Sequence, residues 1–211
     1  MSTISDISQC VVDGELDEIK DLVQKAVDEG ADVSEIINDG LIGGMNIVAP
    51  LFKSGEMFVP EVMECADTMN EGMQVVKPLM SEGDVTTRGK VIIGTVNGDL
   101  HDIGKNLVVL MMESRGYEVI DLGVDVKEEM FIDAINKHQP NIVGMSSLLT
   151  TTMMKIDETI KKINEAGIRD QVKIIVGGAP VTQEFADEIG ADGYSDDAST
   201  AVEICDQLMA M

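Results

Sequence analysis

The sequence predicts an α/β chain in two parts, an N-terminal helical bundle followed by a doubly wound, five-stranded parallel sheet. Three observations predict it. Before residue 80, apolar positions recur only at helical spacing. From Lys90 onward, five short apolar runs alternate with amphipathic helical stretches. Between the two lies 81–89, a segment with no periodicity, which places a domain boundary at 88/89.

In the N-terminal part, a short helix is expected near 4–12. Residues 15–28 align Leu16, Ile19, Leu22, Val23, Ala26 and Val27 on one face, with Gly30 as a stop. Residues 33–51 form a second such stretch through Val33, Ile36, Ile37, Leu41, Met45 and Val48, with Pro50 near its end. Residues 60–82 form a third, opened by Pro60 and carrying Val62, Ala66, Met69, Met73, Val76 and Met80. Methionines at this spacing read either as core filler or as a soft apolar lid. Gly43-Gly44 weakens its helix and allows close approach of another helix or of a ligand.

In the C-terminal part, strands are expected at 90–96, 117–122, 141–146, 172–176 and 192–195. Helices follow at 103–115, 127–138, 152–166, 181–189 and 197–209. Short apolar strands joined by helices imply a parallel sheet covered on both faces, with right-handed crossovers and the order 2-1-3-4-5. Such sheets bind ligands beyond the carboxyl ends of their strands, where strand order reverses. Four loops meet at that edge: 97–104, 146–152, Gly177-Gly178-Ala179-Pro180 and Tyr194-Ser195-Asp196-Asp197. Their glycines and hydroxyls suit a broad, mostly neutral ligand.

Composition excludes several classes. The 211 residues carry a formal charge of −24, with 5 basic and 18 acidic residues through position 88 and 10 and 21 beyond it. Acidity is therefore spread over the chain, which suits docking on less acidic enzymes and opposes nucleic acid. No stretch is long and apolar enough to span a bilayer, and no signal peptide is visible, so a cytoplasmic protein without membrane contact is expected. Cys10, Cys65 and Cys205 are too scattered for a disulfide framework or a metal knuckle. Neither G-x-G-x-x-G nor Walker A is present, G-x-S-x-G is missing, and the third strand ends in Met145-Ser146 rather than in a phosphorylatable aspartate.

The first loop, Gly98-Asp99-Leu100-His101-Asp102-Ile103-Gly104, holds one of only two histidines. Asp99 can orient its imidazole, as carboxylates do for metal-bound histidines. Without a second histidine or a cysteine nearby, a conventional zinc site is unsupported. One protein ligand suffices only where a macrocycle supplies the others. The residues alone leave this reading open beside an ordinary polar-loop histidine or an acid–base role.

The spacing Asp99-x-His101-x-x-Gly104, followed by Ser146-x-Leu148 and Gly177-Gly178, resembles the cobalamin-binding signature of corrinoid methyltransferase proteins. Gly44-Met45 through Phe52, Gly55-Glu56 and Phe58-Val59-Pro60-Glu61 are similar to their helical cap. The resemblance covers nearly the whole chain and is to the stand-alone corrinoid proteins of methylamine- and methanol-type systems and to the cobalamin module of methionine synthase. It implies a helical B12-binding cap domain at 1–88 and a Rossmann-like B12-binding domain at 89–211.

The same resemblance implies the site. His101 would ligate cobalt from the lower face, Asp99 would bond its ring, and Thr152 would extend the relay. Gly98, Asp102, Ile103 and Gly104, with Ser146, Leu148, Thr150, Gly177, Gly178 and Ala179, would complete the cofactor site. His138 matches no family position. The implied cofactor is cobalamin or a related corrinoid, alternating between cob(I)alamin and methylcob(III)alamin. Neutral His101 would favour the ligated, methylated form, and protonation would favour release. The implied partners are a donor-specific methyltransferase, a second methyltransferase acting on tetrahydrofolate or coenzyme M, and a reductive activating protein. The favoured donor is a methylamine or a quaternary amine such as glycine betaine. Segment 81–89 would act as the hinge that opens the cap. A cobalamin-dependent sensor is the alternative, although this acidic chain carries no DNA-binding segment; an adenosylcobalamin isomerase subunit would need a large substrate barrel elsewhere.

Overall fold

The computed structural model describes residues 3–79 and 87–210; most of the expected 81–89 linker and hinge lies outside the described residues. Two compact units emerge, Met1–Thr86 with Ser114–Gly116, and Thr87–Glu113 with Tyr117–Met211.

The first unit is helical. It comprises α1 (Thr3–Asp13), α2 (Ile19–Asp28), a single turn α3 (Val33–Glu35), a π-helical segment (Ile36–Leu41), α4 (Ile42–Ser54) and α5 (Val59–Val76), which tightens into a 3₁₀ turn at Lys77–Leu79. Its core gathers Ile7, Val11, Ile19, Val23, Ile36, Ile37, Leu41, Val48, Val62 and Val76, all fully buried. The expected continuous helix 33–51 is instead broken by the π-helical segment, which widens the turn. Pro50 stands inside α4, not at its end. Gly44 is needed because α4 rests directly on α1: a Cβ there would lie 2.6 Å from Val11 Cβ and 2.7 Å from the Ser8 carbonyl. Of the two uses considered for Gly43-Gly44, close approach of another helix accounts for Gly44. Leu16 is exposed, so α2 begins three residues later than its first apolar position implies. The methionines divide: Met45 and Met69 are core, and Met63 is half exposed. The third expected helix ends earlier than predicted, and Met80 lies outside the described residues.

The second unit is a five-stranded parallel sheet in the expected order β2-β1-β3-β4-β5. The strands are β1 (Lys90–Thr95), β2 (Glu118–Asp121), β3 (Ile142–Ser146), β4 (Lys173–Gly177) and β5 (Gly193–Ser195). Helices α6 (Ile103–Ser114), α7 (Glu128–His138), α8 (Thr150–Glu165), α9 (Gln183–Ile189) and α10 (Ala198–Met209) follow the strands in turn. One core joins Ile92, Val143, Ile174 and Val176 of the sheet to Phe131, Ile135, Ile156, Ile160 and Ile163 of α7 and α8. Met130 on α7 and Ile103 on α6, apolar as they are, stand exposed. Thr182 caps α9 by accepting from Phe185 N–H, and Asp197 caps α10 by accepting from Thr200 N–H. Buried Tyr117 donates its hydroxyl proton to Asp206 at 2.8 Å, tying the start of β2 to α10. Among the described residues, no helix is long and apolar enough to cross a membrane.

Candidate functional site

The site lies at the carboxyl edge of the sheet, where β1 and β3 diverge. Beyond β1 the chain cannot run straight into α6, and the turn at 97–102 is held by its own polar groups. Asp99 N–H donates to Val96 O at 3.1 Å, Val96 N–H donates to Ser146 O at 3.0 Å, and Thr95 Oγ1 donates to His101 O at 2.9 Å. Gly98 adopts φ +81°, a left-handed conformation that suits glycine.

These bonds bury the Asp99 carboxylate completely. Its Oδ1 accepts from His101 N–H at 3.1 Å and lies 2.7 Å from His101 Nδ1. Its Oδ2 accepts from Thr152 Oγ1 at 2.7 Å, Leu148 N–H at 2.8 Å, Leu149 N–H at 3.3 Å and Ser147 Oγ at 3.4 Å. Burial works against the charge, but the bonds from Thr152, His101 and Leu148 outweigh it and hold this carboxyl well below the usual carboxylate range. The positive end of α8, which begins at Thr150, favours an anion at the same spot. Because Asp99 is ionised, the proton between it and the ring belongs to Nδ1. A neutral His101 therefore keeps its lone pair on Nε2.

The structure thus brings Asp99, His101 and Thr152 together and adds a residue that the sequence reading passed over. Ser147 is fully buried, with its hydroxyl 2.8 Å from Thr152 Oγ1 and 3.2 Å from Leu149 O. Lys105 was passed over as well. Its buried ammonium donates to Asp121 at 2.5 Å and to Asn106 at 2.6 Å, fastening the first turn of α6 to the end of β2. Asp102 does not bond the imidazole; its carbonyl accepts from Asn106 N–H.

Apart from Leu148, whose N–H donates to Asp99, the other expected residues share the same edge without joining this network. Ser146 ends β3, pairing with Thr95 and Gly177. Thr150 and Ala179 are exposed, and His138 closes α7 away from the loop cluster. Gly177 and Gly178 have reasons internal to the protein. A Cβ on Gly177 would lie 2.8 Å from Ser195 O, and one on Gly178, at φ +119°, would lie 1.8 Å from Ser147 O. Gly104 is different: a Cβ there would meet nothing within 4 Å.

Among the described residues, no group of three His, Cys, Asp or Glu side chains could hold a metal ion. A metal bound at His101 therefore needs its remaining ligands from elsewhere. Apolar side chains on the same loops are unusually open, Leu100 at 71% and Ile103 at 85% exposed, with Leu148 and Leu149 beside them. A flat apolar macrocycle that carries its own metal satisfies both features.

Comparison with known proteins reaches the same chemistry. Residues 89–203 match one family described as a B12 binding domain, and residues 3–77 match a second of that description. A corrinoid protein of Desulfitobacterium hafniense (strain Y51) is 43% identical over 99% of this chain and 98% of its own. A dimethylamine corrinoid protein of Methanosarcina acetivorans is 41% identical over 98% of this chain and 97% of its own. Among solved structures, a chain of the methanol:cobalamin methyltransferase complex of Methanosarcina barkeri superposes with a TM-score of 0.90 at 35% identity, covering 99% of this chain and 80% of that one.

Proposed function

This chain belongs to the corrinoid proteins built from B12-binding domains, and from that premise we propose that it relays methyl groups between two methyltransferases. Its cofactor is cobalamin or a related corrinoid, and it serves a methyltransferase system as methyl carrier. The first partner would take the methyl group from an amine, a methylamine or a quaternary amine such as glycine betaine. The second would pass it to tetrahydrofolate or coenzyme M. A reductive activating protein would maintain the carrier. Likeness to a dimethylamine corrinoid protein supports the amine donor. Residues 1–88 would serve as the helical cap and 89–211 as the Rossmann-like B12-binding domain.

The observation that carries this reading is the bond between His101 Nδ1 and the buried Asp99 carboxylate, backed by Thr152. The bound cobalt would supply the centre that takes up and gives away the methyl group. The protein's own residues would set its surroundings. His101 would hold the metal through Nε2, with Asp99 fixing the tautomer and Thr152 fixing Asp99. A proton on Nε2 would remove the lone pair that ligation needs, so the proton content of this string would govern when the histidine lets go. Gly104, where a Cβ would meet nothing within 4 Å, would leave room for the cofactor, and exposed Ile103 and Leu148 would offer it apolar surface.

Purified protein should take up cobalamin with a base-off, histidine-on visible spectrum. His101→Ala should lose that signature and cost about 1–3 kcal/mol of folding stability without unfolding the protein, because its ring is one of the donors to the buried Asp99 carboxylate. A protein that refuses cobalamin, or a variant whose spectrum matches wild type, would overturn the assignment. Screening methylamines, glycine betaine, methanol and aryl methyl ethers with the cognate methyltransferase identifies the donor.

A further inference from the structure

The connection between β2 and α7 runs alongside the end of β1 as a short extension of the sheet. Thr95 N–H donates to Gly123 O at 2.9 Å, and Val126 N–H donates to Thr95 O at 2.9 Å. Buried Val126 forms a parallel bridge with Val96. Between these anchors, Asp125 adopts φ +53°, a left-handed conformation seldom taken outside glycine, asparagine and aspartate. In that conformation its Oδ1 accepts from Gly98 N–H at 2.7 Å and from Asn97 Nδ2 at 2.9 Å. Its own N–H donates to Asp99 O at 3.0 Å. One residue thus holds three consecutive residues of the histidine turn, from a loop that sequence reading did not connect with the site.

We propose that Asp125 is a positioning residue for the Asp99–His101 pair. The Asp99 carboxylate is fixed from one side by the start of α8, and His101 depends on that carboxylate for its ring orientation. The remaining freedom lies in the backbone that enters the turn, and above all in Gly98, which has no Cβ to restrict it. Asp125 removes that freedom by accepting from the Gly98 N–H on one side and donating to the Asp99 carbonyl on the other. Holding a non-glycine residue at positive φ costs free energy, which these three bonds offset and which persists where surrounding structure fixes it. Both side-chain contacts fall on one oxygen. Asparagine at this position offers the same acceptor and tolerates the same φ, so placement and charge can be separated. The effect on lower-face ligation rests on the reading of His101 as the cobalt ligand; the effect on the turn does not.

The test uses the full-length chain with two substitutions. Asp125→Gly removes the carboxylate and is at ease with positive φ, so the fold survives. Asp125→Asn keeps the acceptor and discards the charge. In apoprotein followed by NMR, D125G should speed hydrogen exchange at Gly98 by about tenfold, the loss expected when a hydrogen bond's acceptor is removed. The His101 Nδ1–H signal should shift or broaden away in the same variant. D125N should stay within about twofold of wild type, because its acceptor geometry is unchanged. After loading with cobalamin, D125G should lose several-fold in the fraction of histidine-ligated cobalt, and D125N should restore it. Wild-type exchange and an unmoved ring signal in D125G would overturn the proposal. So would a D125N variant as impaired as D125G, since charge and not placement would then be at work. If wild type and His101→Ala share one visible spectrum, the ligand assignment fails, and the apoprotein signals still decide the role of Asp125.

Discussion

Two hydroxyls approach the buried Asp99 carboxylate, and they are not equivalent. Thr152 Oγ1 at 2.7 Å is its direct partner, whereas Ser147 Oγ sits closer to Thr152 than to the carboxylate. The string therefore runs Ser147 to Thr152 to Asp99, each bond polarising the next. Thr152→Ala should destabilise the protein by about 1–3 kcal/mol, the range for a bond to a charged acceptor, and Ser147→Ala by about 1 kcal/mol. The double variant should depart from the sum of the two by about 0.5 kcal/mol or more, measured by denaturant unfolding; strict additivity would show two independent bonds. Thr152 was legible in the sequence through the family signature, but Ser147 was not. Ser146 and Ser147 are adjacent, and period two sends one inward and one outward. Which goes where depends on the register of β3 and on how the chain leaves it, neither of which the two serines reveal.

At the scale of elements, three glycines make opposite demands. Gly178→Ala should cost about 2 kcal/mol or more, because the new methyl group would meet the Ser147 carbonyl at a strained φ. Gly44→Ala should loosen α4 from α1 by a comparable amount, read as a lower thermal midpoint. Gly104→Ala should leave stability unchanged or raise it by up to about 1 kcal/mol, the helical advantage of alanine, while cobalamin uptake falls. A Gly104→Ala protein that binds cofactor normally would remove Gly104 from the site. The order of the sheet was legible because apolar strands alternating with helices admit few right-handed arrangements. The break at Ile36–Leu41 was not: a π-helical segment keeps its apolar residues buried on the same side, so periodicity reads through it. Nor was the inner face of α6 legible, since exposed Ile103 looks like core until the sheet edge is placed.

Across the whole molecule, titration at high pH tests how tightly the units are closed. Burial pushes the Cys10 and Cys65 thiols up to about 11 and Cys205 up to about 12, and it raises the Tyr117 hydroxyl too. Unfolded thiols ionise from about their ordinary 9.0, so above that pH the unfolded chain binds fewer protons than the folded one. The thiols' contribution to stability should be at its full value below pH 9 and fall as pH rises toward 12. Cys205→Ala should flatten that decline, and an unchanged slope would mean that this thiol is not shielded. The protein has no tryptophan and only two tyrosines, Tyr117 and Tyr194, both in the sheet unit. Near-ultraviolet circular dichroism in the tyrosine band is consequently a private channel from one half of the chain, with Tyr117 locked against Asp206 as its reporter. Far-ultraviolet ellipticity, dominated by helices of both halves, has no such bias. Melting curves that coincide in the two bands would mark a single cooperative transition, and curves that separate would time the release of each half without any label.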